Sequence, residues 1–124
     1  MAAGKYALLI EQGATLDIQL EYKDSNNVPI DLSLYDGNMQ IRSNFADDNG
    51  TVYITLSNPS VDGTGIDFGG VDNNIIYIKI ADVDTEALTF DTAVYDLELT
   101  DTDTGKVIRL LQGTVKLSKE VTRP

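Results

Sequence analysis

Apolar and polar residues alternate with a period of two through most of the apolar runs of this chain, and that period predicts strands. From Thr15 to Tyr22, Leu16, Ile18, Leu20 and Tyr22 fall on one face and Asp17, Gln19 and Glu21 on the other. Tyr35 to Arg42 places Met39, Ile41, Tyr35 and Gly37 together, so a bulge or a large neighbouring side chain is expected against Gly37. Thr51 to Leu56 predicts a strand with Val52, Ile54 and Leu56 inward, and Ile66 to Phe68 a brief one. Ile75 to Ile80 is rich in β-branched residues and predicts a central strand. Tyr6 to Glu11 is a short apolar run ended by Gly13, which predicts an edge strand.

The strongest signal is the final hairpin, Ala93 to Val121. Tyr95, Leu97 and Leu99 alternate with Asp96, Glu98 and Thr100; the turn Asp101-Thr102-Asp103-Thr104-Gly105 follows, and a second strand runs from Lys106 through Leu117. Turns are expected at Lys23 to Asn27, Ser43 to Gly50, Asn58 to Gly65, Gly69-Gly70 and Asp72 to Asn74, where Asn, Asp and Gly supply left-handed dihedrals. Pro29 to Leu32 reads as an extended link. Ala81 to Leu88 is the stretch with helical character, with Asp82 or Asp84 as its expected cap. About eight strands with such turns between them predict an all-β antiparallel sandwich or barrel, one domain over residues 1–124.

Composition narrows the chemistry. The chain carries 20 acidic and 9 basic residues, a net charge of −11, which opposes binding to nucleic acid or to anionic membranes. Its apolar runs fall short of a membrane span, and the start MAAGKYALLIEQG reads as a first strand rather than a leader. Cysteine and histidine are absent, which removes disulfides, thiolate nucleophiles, the usual zinc ligands and the commonest general base. A carboxylate pair would suffice for a glycosidase. The acidic residues, however, lie on outward strand positions or in turns, and no enzyme activity is expected.

Calcium needs only oxygen ligands, so Asp101 to Gly105, Asp47-Asp48-Asn49-Gly50 and Asp72-Asn73-Asn74 are the candidate sites for it. The first lacks the third acidic residue and closing glutamate of an EF-hand loop, and tight turns use the same residue types. The glycines at Gly63, Gly65, Gly69 and Gly70 do not join a strand to a helix and form no phosphate cradle. Six tyrosines (6, 22, 35, 53, 77 and 95) offer a stacking platform for sugar, but four lie on or beside inward positions and are expected in the core. No catalytic, cofactor-binding or metal-ligating residues are assigned, and no cofactor is expected.

An ordered set of phrases spans Glu11 to Arg123: EQGAT (Glu11–Thr15), VPIDL (Val28–Leu32), MQIR (Met39–Arg42), YDLEL (Tyr95–Leu99), RLLQGTV (Arg109–Val115) and EVTR (Glu120–Arg123). Together they resemble small tail-associated structural proteins of phages and prophages, and the immunoglobulin-like N-terminal domain of siphophage upper-baseplate proteins. The resemblance implies an immunoglobulin-like sandwich and a virion structural protein acting as an adaptor in the tail, baseplate or fibre-attachment apparatus. Its implied partners are other virion proteins, with assembly in the host cytoplasm, and the setting implies a symmetric homo-oligomer such as a trimer. Within those phrases, EQGAT is expected to turn the first strand into the second, Gly113 to admit a close neighbour, and Arg42 and Arg109 to pair with strand carboxylates. The rival expectation is a carbohydrate- or calcium-dependent host-adhesion module.

Overall fold

The computed structural model describes residues 4–44 and 50–121. The oxygen-rich Asp47-Asp48-Asn49 segment and the closing Thr122-Arg123 lie outside the described residues. In chain order the elements are β1 (Gly4–Lys5), β2 (Leu8–Glu11), β3 (Leu16–Glu21), β4 (Tyr35–Arg42), β5 (Val52–Ser57), β6 (Gly65–Gly69), β7 (Ile75–Ile80), the helical turn α1 (Asp82–Glu86), β8 (Thr92–Asp101) and β9 (Val107–Ser118). They form two sheets, one ordered β1-β9-β8-β4-β5 with β2 also on β9, the other β3-β7-β6.

The final hairpin is the spine of the larger sheet: Tyr95, Leu97 and Leu99 are buried while their alternating neighbours face out. On the other side of β9 lie β1 and β2. Gly4 pairs with Leu111, Lys5 with Gln112 and Leu8 with Val115, a single register interrupted at Tyr6 and Ala7. The two are therefore one broken strand, which makes eight strands among the described residues. This pairing is parallel, the exception in a sandwich whose other pairings are antiparallel as expected. The EQGAT segment accordingly does not close a hairpin. It crosses from β2 in one sheet to β3 in the other, with Gly13 at a φ of 84°.

Inward faces of the two sheets meet in a core of Ile10, Leu32, Met39, Ile41, Leu56, Ile66, Ile76, Ile78, Ile80, Leu97 and Leu99, all fully buried. Central β7 behaves as its β-branched pattern predicts, with Ile76, Ile78 and Ile80 inward. Leu16, Ile18 and Leu20 also point inward but are only half-buried, because β3 is the edge of its three-stranded sheet. Gly37 carries the expected large neighbour: a Cβ there would stand 3.1 Å from the Phe68 ring of the facing sheet.

Two expectations need correction. Val52 is not inward. The register between β4 and β5 shifts after Ile41, so that Arg42 meets Val52 while Ile41 meets Ile54. The bulge turns Tyr53 toward the core instead, where it stacks on Phe90 with ring centroids 4.7 Å apart, and leaves Val52 exposed. Nor does Asp82 or Asp84 cap α1: the N-cap is Ala81, without a side-chain hydrogen bond. Both aspartates lie in the first turn, and the Asp84 carboxylate accepts the Thr64 hydroxyl.

Candidate interaction surface

The broken strand β1–β2 is an edge. Tyr6 donates its N–H to the Gln112 carbonyl at 3.1 Å and Gln12 donates to Ser118 at 2.9 Å, both on β9. Backbone groups alternate sides along a strand, so the even-numbered residues turn toward β9 and Lys5, Ala7, Leu9 and Glu11 turn away from it. Among the described residues no strand pairs with that outer side. One of its acceptors is already engaged, since the Glu11 carbonyl takes the Ala14 N–H at 3.1 Å. From Ala7 onward side chains follow the same parity, while Tyr6, at the break, is exposed. Leu8 and Ile10 are buried, whereas Lys5, Ala7, Leu9 and Glu11 are exposed, Leu9 by 54%.

Contacts near its middle and at its far end hold this edge in place. Near its middle the Tyr95 hydroxyl donates to the Tyr6 carbonyl at 2.6 Å. That carbonyl sits 2.2 Å from where a Cβ of residue 113 would be, so Gly113 does admit a close neighbour, namely backbone. Burial, and secondarily the nearby Tyr6, push the Tyr95 hydroxyl up to about 12. At the far end Gln12 donates to the Leu88 carbonyl at 2.8 Å and accepts the Glu120 N–H at 3.0 Å. Fully buried Thr85 accepts the Gly13 N–H at 3.1 Å and donates to the Ala14 carbonyl at 2.8 Å, fastening the crossover to α1.

The outer face of the larger sheet is polar. A depression of about 230 Å³ there is lined in part by Gln40, Arg42, Asp96 and Glu98. Arg109 pairs with a strand carboxylate as expected, Nε to Asp96 Oδ2 at 3.4 Å. Arg42 instead reaches the Gly50 carbonyl at 3.5 Å and has no carboxylate partner among the described residues. A less exposed ion pair forms on the other sheet, where Asp67 accepts the Ser60 hydroxyl at 2.6 Å, the Ser60 N–H at 3.1 Å and Lys79 at 3.2 Å. The Ser60 bonds, ahead of Lys79, hold its carboxyl below the usual carboxylate range.

The oxygen-rich turns spend their oxygens on backbone. Asp101 Oδ1 accepts the N–H groups of Asp103 at 2.8 Å and Thr104 at 3.3 Å, and Gly105 follows at a φ of 74°. Asn73 adopts a φ of 54°, and the main-chain carbonyls of Asn73 and Asn74 accept the N–H groups of Leu32 and Tyr22, each at 2.8 Å. Among the described residues no three acidic side chains cluster as metal ligands do. Tyr22, Tyr35 and Tyr53 pack against the core and Tyr95 lies within it; Tyr6 and Tyr77 remain nearer the surface. Four of the six therefore serve packing rather than one exposed platform.

No protein-family model matches the chain, and no curated relative does. Among solved structures it is similar to the NK cell receptor Nkp44, described as a triggering partner in natural cytotoxicity. The match covers 95% of this chain and 100% of that one, with 16% identity and a TM-score of 0.52. The fold is an immunoglobulin-like β-sandwich. At that identity the likeness extends to the fold alone.

Within the immunoglobulin-like plan, this chain stabilises the sandwich differently from antibody domains, which place a tryptophan against a disulfide between the sheets. It has neither cysteine nor tryptophan, and isoleucine and leucine fill the space between its sheets. The tyrosine near the start of the penultimate strand also has a different partner. In antibody domains its hydroxyl bonds backbone a few residues upstream; the Tyr95 hydroxyl reaches across to Tyr6 on the first strand.

Proposed function

We propose that the protein is a non-catalytic structural adaptor of a phage virion, in the tail, baseplate or fibre-attachment apparatus. It docks onto neighbouring virion proteins by offering the Lys5–Glu11 edge for extension of a sheet. The observation that carries this reading is the open outer side of β1–β2, whose backbone groups at Ala7 and Leu9 have no partner strand among the described residues. Added strands gain affinity from main-chain hydrogen bonds and specificity from alternate side chains. The setting comes from the ordered phrases EQGAT through EVTR and their resemblance to tail-associated proteins. The engagement of the Asp101 and Asn74 turns with backbone, and the packing of four tyrosines on the core, favour this reading over a calcium- or sugar-dependent adhesion module.

Crosslinking and mass spectrometry on purified virions test it. The expected result is crosslinks from Lys5 to a tail, baseplate or fibre protein, or to another copy of this chain within the particle. Absence of the protein from virions overturns the assignment.

A further inference from the structure

The edge strand is complementary to itself. Its outward-facing residues read Lys5, Ala7, Leu9, Glu11, a basic residue at one end, an acidic one at the other and two apolar ones between. Place a second copy antiparallel, with Leu8 opposite Leu8. Lys5 then meets Glu11, Ala7 meets Leu9, and both relations recur on the other side of the two-fold axis. We infer that the partner docked on this edge is a second copy of the same chain, joined antiparallel in that register. The inference rests on the reading of β1–β2 as the docking edge and names what docks there.

Hydrogen-bond parity selects this class of register independently of charge. Antiparallel strands exchange N–H and C=O between directly opposed residues whose backbone groups face each other. Here those are the odd-numbered residues, because Tyr6 and Gln12 are turned toward β9. Only registers that oppose odd with odd satisfy them. The Ala7–Leu9 pair and its symmetry mate supply about four backbone hydrogen bonds. Sliding the strands by two residues either way puts Lys5 opposite Gly13 or Leu9 and removes both ion pairs.

The side chains suit a two-fold contact. Ala7 and Leu9 from each copy form one apolar cluster at the axis, covering a leucine that is 54% exposed in the single chain. A Lys5–Glu11 pair closes it at each end, and neither residue forms an ion pair among the described residues of one chain. Leu8 and Ile10 stay in the core of their own copy. Joining the copies makes one continuous sheet, β5-β4-β8-β9-β1/β2 followed by its mate. A closed isologous contact of this kind gives a dimer rather than the trimer that fibres would suggest.

The test is sedimentation equilibrium of the full chain over a range of concentrations, with four sequences. The wild type is expected to be a dimer. Lys5→Glu and Glu11→Lys each place like charges opposite one another and should weaken the dimer by about tenfold or more. The double variant Lys5→Glu/Glu11→Lys exchanges the two charges, re-forms both pairs and should dimerise like the wild type. Leu9→Pro removes an N–H that faces the partner and none that faces β9, so it should yield a folded monomer by circular dichroism. A wild type that stays monomeric, or a double variant no better than the single ones, overturns the inference. A monomer that still crosslinks through Lys5 to another virion protein would leave the adaptor reading standing and remove only the second copy.

Discussion

The Tyr95 hydroxyl donates a 2.6 Å hydrogen bond to the Tyr6 carbonyl, joining the buried side of β8 to the break in the first strand across the backbone of Gly113. Tyr95→Phe keeps the ring and leaves that carbonyl without its donor. The expected cost is about 1–2 kcal/mol in urea unfolding. The pH dependence has a definite sign. The folded hydroxyl is raised from 10.0 to about 12, so its contribution is full below pH 10 and is lost as pH rises from 10 toward 12. The alkaline limb of the wild-type stability curve should therefore be steeper than that of Tyr95→Phe.

Gly113→Ala probes the same junction from the backbone. The added methyl would stand 2.2 Å from the Tyr6 carbonyl oxygen, so the strand must move away from β9. A loss of about 1–3 kcal/mol is expected. Hydrogen exchange should quicken at residues 5 to 10 more than in β7, which lies in the other sheet.

Thr85→Val is nearly isosteric and abolishes both bonds of the buried hydroxyl to the crossover. The Gly13 N–H loses its acceptor and the Ala14 carbonyl its donor. Chemical denaturation should register a loss of about 1–3 kcal/mol, and a substitution at exposed Val83, two residues away, should register almost none.

Asp67 sets an acid-side dependence. Its carboxyl is held below 3.8 by the Ser60 bonds and then by Lys79, so the stabilisation is present above that value and lost as pH falls through the lower folded one. In thermal melts Asp67→Asn should lie below the wild type at neutral pH, and the two curves should converge in acid.

Much of the sandwich was legible because its strands are half-buried and alternate. YDLEL and Ile75–Ile80 lie in strands with a neighbour on each side, so pattern and burial coincide there. The pairing of β2 with β9 was hidden because a parallel pair leaves no turn between its strands to be read. Val52 departs from the apolar pattern because one extra residue at the β5 bulge reverses the parity, and a bulge has no signature in apolar alternation. The edge was visible as a short apolar run. Its outward register was not, since it depends on which residues donate to β9. That register also shows why Leu9 is the informative site for proline: Leu8 is only 4% exposed and belongs to the core.

The parallel pairing of the first strand with the last has a mechanical consequence. Tension that enters at Gly4 and leaves at Ser118 pulls β1–β2 and β9 lengthwise in opposite directions. All the hydrogen bonds between them then carry load at once, whereas a hairpin pulled from its open end yields them one after another. The domain resists stretching along this axis as a riveted lap joint does, by shear.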